Sequence, residues 1–263
     1  MATQLAALRH PARAGVGLAA MAGLVLTGCT SSSTSSASSS TSASTGSSNS
    51  GGSTSVVSSN SVPFPVAVGN TWTYKDTTAV TAGTSVDKIA AVKAVPGGQR
   101  VTMDSTITIA GTTTHSSGYF IFRPDGSITY PFSQFGTGSS QAKVTLLAGD
   151  IVWPPASQIE SGQVSHDILK VEITVAGHTE HVTSHIAVKG EGTQSVTVPA
   201  GTYNATVVGM TESETVAGIA LTSQITTWLA AGVGPVKTEV TVSEGGSAGT
   251  VAAQNLLTSF TKG

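Results

Sequence analysis

The stretch that decides the fold class of this chain is Gly-Asn-Thr-Trp-Thr-Tyr-Lys at residues 69–75. Trp72 and Tyr74 share one face of an extended chain, and the threonines and Lys75 share the other, because successive side chains of a strand alternate. Pro63 and Pro65 come just before this stretch and favour an extended approach to it. The pattern predicts a half-buried β-strand with an aromatic inner face.

The same alternation continues to the C-terminus, interrupted by turn residues such as the Pro-Asp-Gly at 124–126. No amphipathic helix longer than two turns is indicated after the N-terminal region. These features predict an all-β fold, an antiparallel meander that forms a half-closed barrel or a curved sheet. The further predicted strands are 86–95, 100–109, 118–122, 127–132, 143–147, 151–153, 166–175, 179–189, 194–198, 202–216, 219–229, 236–242 and 251–260.

The composition excludes one class of partner and one kind of cross-link. With Arg9 and Arg13 assigned to a cleaved signal, 10 of the 12 Lys and Arg residues remain against 14 Asp and Glu, so the mature charge is near −4. Such a chain offers no basic face, and nucleic acid is excluded as an expected partner. The single Cys allows no disulfide within the chain, so burial alone must hold the domain together.

The N-terminus has the arrangement of an export signal. Arg9, His10 and Arg13 form a basic region, and residues 14–26 are uncharged but too short to span a bilayer. The run ends in a Leu-Thr-Gly-Cys motif that resembles the lipobox of bacterial lipoproteins, in which the cysteine receives a lipid. The resemblance implies a signal peptide over residues 1–28, with lipidation at the cysteine; the alternative is a buried core thiol. The motif is Leu26, Thr27, Gly28 and Cys29.

A tether and one folded domain follow the motif. The lipidated cysteine and its tether cover residues 29–61; residues 30–61 are mostly Ser and Thr with no charge, a composition that predicts a disordered segment. Its root-mean-square reach would be roughly 30 Å. The tether is either a passive spacer or an O-glycosylated stalk, and residues 62–263 form a single β-rich domain. We expect the domain on the extracytoplasmic face of the cell membrane, held by its lipid anchor.

Three stretches resemble one group of bacterial envelope proteins. Residues 64–74 are similar to the opening motif of the DUF3108-like and TapB-like families, and residues 198–203 and 228–237 are similar to their C-terminal motifs. At the level of fold, the resemblance implies a curved antiparallel sheet of the kind found in the LolA and LolB lipoprotein carriers. By that analogy it implies a cavity for lipid. From the residues themselves, Trp72 and Trp228 are expected to be core anchors.

Two groups of residues could carry chemistry. His178, His181 and His185 are metal-capable, but His181 and His185 would lie about 13 Å apart on one strand face, so no metal site is predicted. The Gly-Gly-Ser-Ala-Gly at 245–249 matches a nucleophile elbow, yet it stands in a loop between strands, and no His follows it. The sequence therefore predicts no enzyme, no catalytic residue and no cofactor.

The sequence favours two functions, and a third, a metal-dependent enzyme, rests on the histidine group alone. The first is a non-enzymatic, lipid-anchored protein that binds an apolar ligand or another component of the envelope. The second is a structural or protein-interaction module of the envelope without a small ligand. Both place the partner in the envelope and attach the chain to the membrane through Cys29.

Overall fold

The computed structural model describes residues 64–78, 81–131, 142–175, 178–216, 218–247 and 249–263. The predictions for residues 1–63, namely the signal, the lipobox and the tether, lie outside these ranges. The described part of the chain is almost entirely strand, as predicted.

The described residues contain thirteen strands and one short helix, joined by turns and loops. The helix α1 (Ala156–Ser161) has six residues, and no helix in the described ranges is long and apolar enough to cross a membrane. The strands are β1 (Thr71–Thr78), β2 (Ala82–Val95), β3 (Gly98–Ile109), β4 (Thr112–Phe122), β5 (Ile128–Tyr130), β6 (Ala142–Ala148), β7 (Ile151–Trp153), β8 (Ser165–Val175), β9 (His178–Val198), β10 (Gly201–Val216), β11 (Ile219–Ala230), β12 (Gly234–Glu244) and β13 (Thr250–Thr261).

All thirteen strands belong to one antiparallel sheet. Their order is β6-β8-β9-β10-β11-β12-β13-β1-β2-β3-β4-β5-β7, so β6 and β7 are its two end strands. Only Gly149 and Asp150 join these two strands, and three Cα–Cα steps span at most about 11 Å. The sheet must therefore curl until its ends lie close together. The prediction of a curved antiparallel sheet is confirmed.

The two ends of the sheet differ in their strand pairing. We call the end at which β1 begins, at Thr71, the lower end, and the end at which β1 stops, at Thr78, the upper end. At the lower end β4 pairs with β5, and β5 pairs with β7, which continues the chain from β6. At the upper end, residues 112–120 of β4 pair with β3 and have no strand on their other side among the described residues. The sheet is thus joined below and open above, between β4 and β6.

The largest differences from the sequence-based prediction are at β4 and β9. β4 begins at Thr112 rather than Gly118, because residues 112–117 are mostly exposed on both faces and so lack an apolar alternation. β9 is continuous to Val198, although its predicted end was Lys189. A shift in its pairing with β10 near Gly190 and Gly192 marks a β-bulge, which lets the strand pass two glycines without ending.

The core is densest at the lower end. Trp72 is stacked between Phe64 (ring centroids 4.9 Å apart) and Phe260 (5.2 Å). Phe64 also meets Phe120 edge-to-face at 5.6 Å, and Phe120 contacts the ring of Tyr130 at 5.7 Å. We call these rings, with Phe122, the aromatic cluster. Aromatic packing of this kind adds stability beyond the area buried.

Two further elements close over the sheet. The turn between β9 and β10 reaches β13, where the Ala200 N–H donates to the Leu257 carbonyl at 3.0 Å. Helix α1 packs on β9, with Ile159 buried and its backbone against Gly190. A Cβ at Gly190 would lie only 1.9 Å from the Ile159 carbonyl oxygen, so this contact requires glycine.

Candidate functional site

The stretches that carry the family resemblance meet at the lower end of the sheet. The indole N–H of Trp72 donates to the Val233 carbonyl at 2.6 Å, and the Tyr74 hydroxyl donates to the Pro235 carbonyl at 3.1 Å. Each of these bonds joins residues 161 positions apart in the chain. The motifs at residues 64–74 and 228–237 therefore contact each other, and their role is structural.

Asn70 holds together the segment before β1 and the residues after β13. Its side-chain amide donates to the Pro65 carbonyl at 2.9 Å, and its side-chain oxygen accepts the Gly263 N–H at 3.1 Å. Gly69, beside it, has φ of +92°, and a Cβ there would lie 2.9 Å from the Gly263 Cα. The lower end is therefore closed by backbone as well as by aromatic rings.

On β3, the inner face becomes more exposed toward the upper end. Val101, Ser105, Ile107 and Ile109 share the inner face of β3, since the strand has no bulge. Val101 is 0% exposed, whereas Ile109 is 37% exposed and Ile107 is half-buried. An apolar surface whose exposure increases toward one open end of a curled sheet is a place where an apolar ligand could bind. We take this upper inner face as the candidate functional site.

Polar side chains lie between the aromatic cluster and this open end. Asp87 pairs across the strands with Trp72 on one side and Ser105 on the other, and it is 1% exposed. The Ser105 hydroxyl donates to Asp87 Oδ1, while Asp87 Oδ2 has no hydrogen-bond partner among the described residues. Burial, together with the charge of nearby Asp76, raises the pKa of Asp87 to about 7 despite the bond from Ser105.

Asp76 continues this polar group toward the upper end. Its Oδ1 accepts hydrogen bonds from the Asn255 amide at 2.6 Å and from the Ser85 hydroxyl at 3.1 Å. Partial burial raises the pKa of Asp76, and the two hydrogen bonds oppose the rise. Burial and the charges of Asp87 and Asp76 also raise the pKa of Tyr74. This half of the inner face thus collects acidic groups, and within the described part of the chain neither Asp76 nor Asp87 forms an ion pair.

A second acidic group lies across the sheet on β9 and β10. The Ser184 hydroxyl oxygen is 2.8 Å from Glu212 Oε1 and 3.0 Å from Glu214 Oε2. Glu212 is 3% exposed, and its Oε2 has no hydrogen-bond partner in the part of the chain that the structure describes. Burial raises the pKa of Glu212; burial and the adjacent Glu212 charge raise the pKa of Glu214 to about 7, against the bond from Ser184. We call these three residues the Ser184 triad.

The histidine group lies on the other face of the sheet. His181 and His185 are exposed on β9, and His181 faces Glu172 of β8, with Nε2 and Oε2 3.8 Å apart. The side chain of His178 lies outside the described residues. Among the residues the structure describes, no three His, Cys, Asp or Glu side chains come together to hold a metal ion.

Residues 245–247 of the Gly-Gly-Ser-Ala-Gly segment form a turn after β12, where the sequence predicted a loop. The Ser247 hydroxyl oxygen accepts the Glu244 N–H at 3.3 Å, and the Ser247 N–H donates to the Glu244 carbonyl at 3.0 Å. These bonds close the turn on itself. They give Ser247 a local structural role.

The buried acids were not predicted as functional candidates, although the sequence contains a pattern that could have indicated them. Val208, Met210, Glu212 and Glu214 are spaced by two, so the carboxyl groups continue an apolar face. Asp87 likewise alternates with Ile89 on β2. A carboxyl group that takes a core position in such an alternation is informative, because buried acids are uncommon.

Comparisons with known proteins agree with this fold. A family model described as DUF3108-like matches residues 68–249. A predicted lipoprotein of Parabacteroides distasonis ATCC 8503 is 19% identical, with a TM-score of 0.55 over 76% of this chain and 99% of its own. A predicted exported protein of Bacteroides fragilis NCTC 9343, with a YmcC-like fold, is 16% identical, with a TM-score of 0.51 over 76% and 98% of the two chains. No curated protein matches the sequence.

Proposed function

We propose a function from one premise: this chain belongs to the DUF3108-like family, whose model matches residues 68–249. The protein is a lipid-anchored, extracytoplasmic binding protein that acts without catalysis. It holds an amphipathic component of the cell envelope on the upper inner face of its sheet. Membership of the family indicates the fold, and the side chains of the site indicate the chemistry of the ligand.

The observation that carries the proposal is the difference between the two ends of the inner face. Val101 is fully buried below, while Ile109 on the same face of the same strand is 37% exposed. Exposing large apolar side chains on a concave surface is unfavourable by about 25 cal/mol for each Å² left in water. A ligand that covers Ile107 and Ile109 would remove that penalty.

The neighbouring polar groups define the rest of the ligand. Asp76, Asn255 and Ser85 lie on the inner face between the open end and buried Asp87. They offer hydrogen-bond donors and acceptors next to the exposed isoleucines. A ligand with an apolar body and a hydrogen-bonding head fits this surface better than a wholly apolar one. Lipids and lipid-linked envelope components have this character.

The test is native mass spectrometry of the full chain with Cys29→Ser, which lacks the lipid attachment site and can be purified without detergent. We expect one amphipathic molecule per chain, lost on organic extraction. Ile109→Asp on the inner face should reduce its occupancy at least tenfold. Thr108→Asp on the outer face of the same strand is the matched control and should retain it. A bare mass for the parent chain would contradict the proposal.

A bare mass would favour the interaction module instead. Leu147 and Ile168 are about half exposed near the β6 end of the sheet, and such a surface suits a protein contact. That alternative needs no ligand on the inner face.

The anchor is tested separately, by labelling cells with a radioactive fatty acid. The wild-type protein should carry the label and sediment with membranes. Cys29→Ser should lose the label and leave the membrane fraction, since two or three acyl chains provide the attachment. Ser31→Ala, in the adjoining tether, should change neither result. Labelling of the Cys29→Ser chain would contradict the lipobox assignment.

A further inference from the structure

We infer that the Ser184 triad is a proton-binding site, in which Glu212 and Glu214 share one proton through the hydroxyl of Ser184. The proton is taken up in mildly acidic surroundings and released in alkaline ones. Its release loosens the upper parts of β9 and β10. This property is separate from ligand binding and does not depend on it.

The geometry of the hydroxyl favours a proton shared by the two carboxyl groups. Ser184 has one hydroxyl hydrogen, yet its oxygen lies 2.8 Å from a Glu212 oxygen and 3.0 Å from a Glu214 oxygen. One contact is a hydrogen bond from Ser184. The other is a hydrogen bond only if that carboxyl group is protonated and donates to Ser184, because a carboxylate is an acceptor only.

The surroundings offer no other way to neutralise two charges. Leu169 of β8 lies opposite Ser184, and Ser223 and Leu221 of β11 lie opposite Glu212 and Glu214. Among the described side chains, β8 to β11 place no Lys, Arg or His on this face above the bulge; the other titratable groups there are further acids. Those acids are Glu180 on β9 and Asp167 on β8.

The environment of Glu212 Oε2 also indicates that the two carboxyl groups share a proton. Glu212 is 3% exposed, and its Oε2 has neither a hydrogen-bond partner nor contact with solvent. A charged oxygen in that position would be strongly disfavoured, whereas a neutral carboxyl group is tolerated. The raised pKa of Glu214, about 7, places the exchange of the proton near neutrality. The two groups titrate as a coupled pair.

The loss of the proton has a mechanical consequence. The O–H bond of the protonated carboxyl group breaks, the proton leaves to water, and two carboxylates remain around one hydroxyl group. Their repulsion is large where water is excluded, so water must enter between them. The neighbouring cross-strand bonds of β9 and β10 should then open more often.

The test is infrared pH-difference spectroscopy of the full-length protein in dodecyl maltoside, in an Asp87→Asn background that removes the other group with a pKa of about 7. We expect a protonated-carboxyl band that disappears with a midpoint near 7, and a shift of that midpoint in Glu214→Gln, in which Glu212 alone can hold the proton. Glu239→Gln, which alters an outer-face acid paired with Lys237, is the matched control and should retain the band. A band that is unchanged in Glu214→Gln would overturn the inference.

A second variant keeps the test decisive if Glu214→Gln does not fold. The hydrogen bond from Ser184 lowers the pKa of Glu214, so Ser184→Ala should move the midpoint of the band upward. A purely structural serine would leave that midpoint unchanged. Hydrogen exchange at Val182–Ser184, corrected for its intrinsic pH dependence, should accelerate at least tenfold from pH 6 to pH 8 in the parent background. It should stay constant in Glu214→Gln, and equal acceleration in both would overturn the mechanical consequence.

Discussion

Replacing Trp72 by alanine is expected to lower the free energy of unfolding by about 3–5 kcal/mol, the range for large aromatic residues in cores. Trp72 is 1% exposed and stacked between Phe64 and Phe260. Its removal would leave a cavity in the aromatic cluster and an unpaired carbonyl at Val233. Urea unfolding of the full-length protein in dodecyl maltoside, followed by tryptophan fluorescence and circular dichroism, measures the effect.

Two control variants separate the contributions of Trp72. Trp72→Phe keeps a ring in the stack but removes the indole N–H, so it should destabilise by about 1–3 kcal/mol through the unpaired Val233 carbonyl. Tyr119→Ala removes an aromatic ring that stacks on Arg100 outside the core, and its effect should stay near 1 kcal/mol. If Trp72→Ala costs no more than Tyr119→Ala, the aromatic cluster is not what holds the lower end together.

The sheet could be predicted from sequence because its strands keep strict alternation wherever one face is buried. The stretch at 69–75 shows this: Trp72 and Tyr74 are buried, and Lys75 is exposed. The alternation fails where both faces meet water, which is why residues 112–117 were not predicted as strand. It also fails at a bulge, and the glycines at 190 and 192 therefore resembled a strand end. Family resemblance, carried by residues 64–74, 198–203 and 228–237, is confirmed by the match over residues 68–249.

The candidate site was harder to predict, because its chemistry depends on neighbours far away in the chain. The histidines at 181 and 185 are metal-capable and close in sequence, but they face outward and are exposed. Glu212 becomes unusual only when Ser184, 28 positions away, lies against it. Similarly, Asn255 reaches Asp76 across 179 positions. The alternation of Met210, Glu212 and Glu214 could have placed the acids on the inner face, but not their partners.

The structure gives the two ends of the sheet different physical roles. The lower end is fixed by backbone bonds and aromatic stacking, for example between Trp72 and Val233, and these do not change with pH. The inner face above it carries buried acids whose charge changes near neutrality, chiefly Asp87 and Glu214. We therefore expect a rise in pH through neutrality to change the charge of the middle and upper inner face, while the packing of the lower end stays unchanged.

The stability of the protein should fall as pH rises from about 4 to about 7, and Asp87→Asn should remove a large part of that fall. The folded state raises the pKa of Asp87 from 3.8 to about 7, so folding favours its protonated form. That contribution is fully present below the unfolded pKa and is lost as pH rises through the folded pKa. At 1.36 kcal/mol for each pKa unit, the loss from this one group is about 4 kcal/mol.

Asparagine tests this directly because it resembles the neutral acid and cannot ionise. Its side-chain oxygen can still accept the hydrogen bond from Ser105, so the local packing should survive. Urea unfolding across pH 4 to 8 should show Asp87→Asn more stable than wild type by about 2–4 kcal/mol at pH 8, and no more stable at pH 4. Asp104→Asn alters an exposed acid next to Ser105 and should leave the wild-type pH profile unchanged. If Asp87→Asn and wild type keep parallel profiles, Asp87 is already ionised in the folded state, and burial does not control the charge of the inner face.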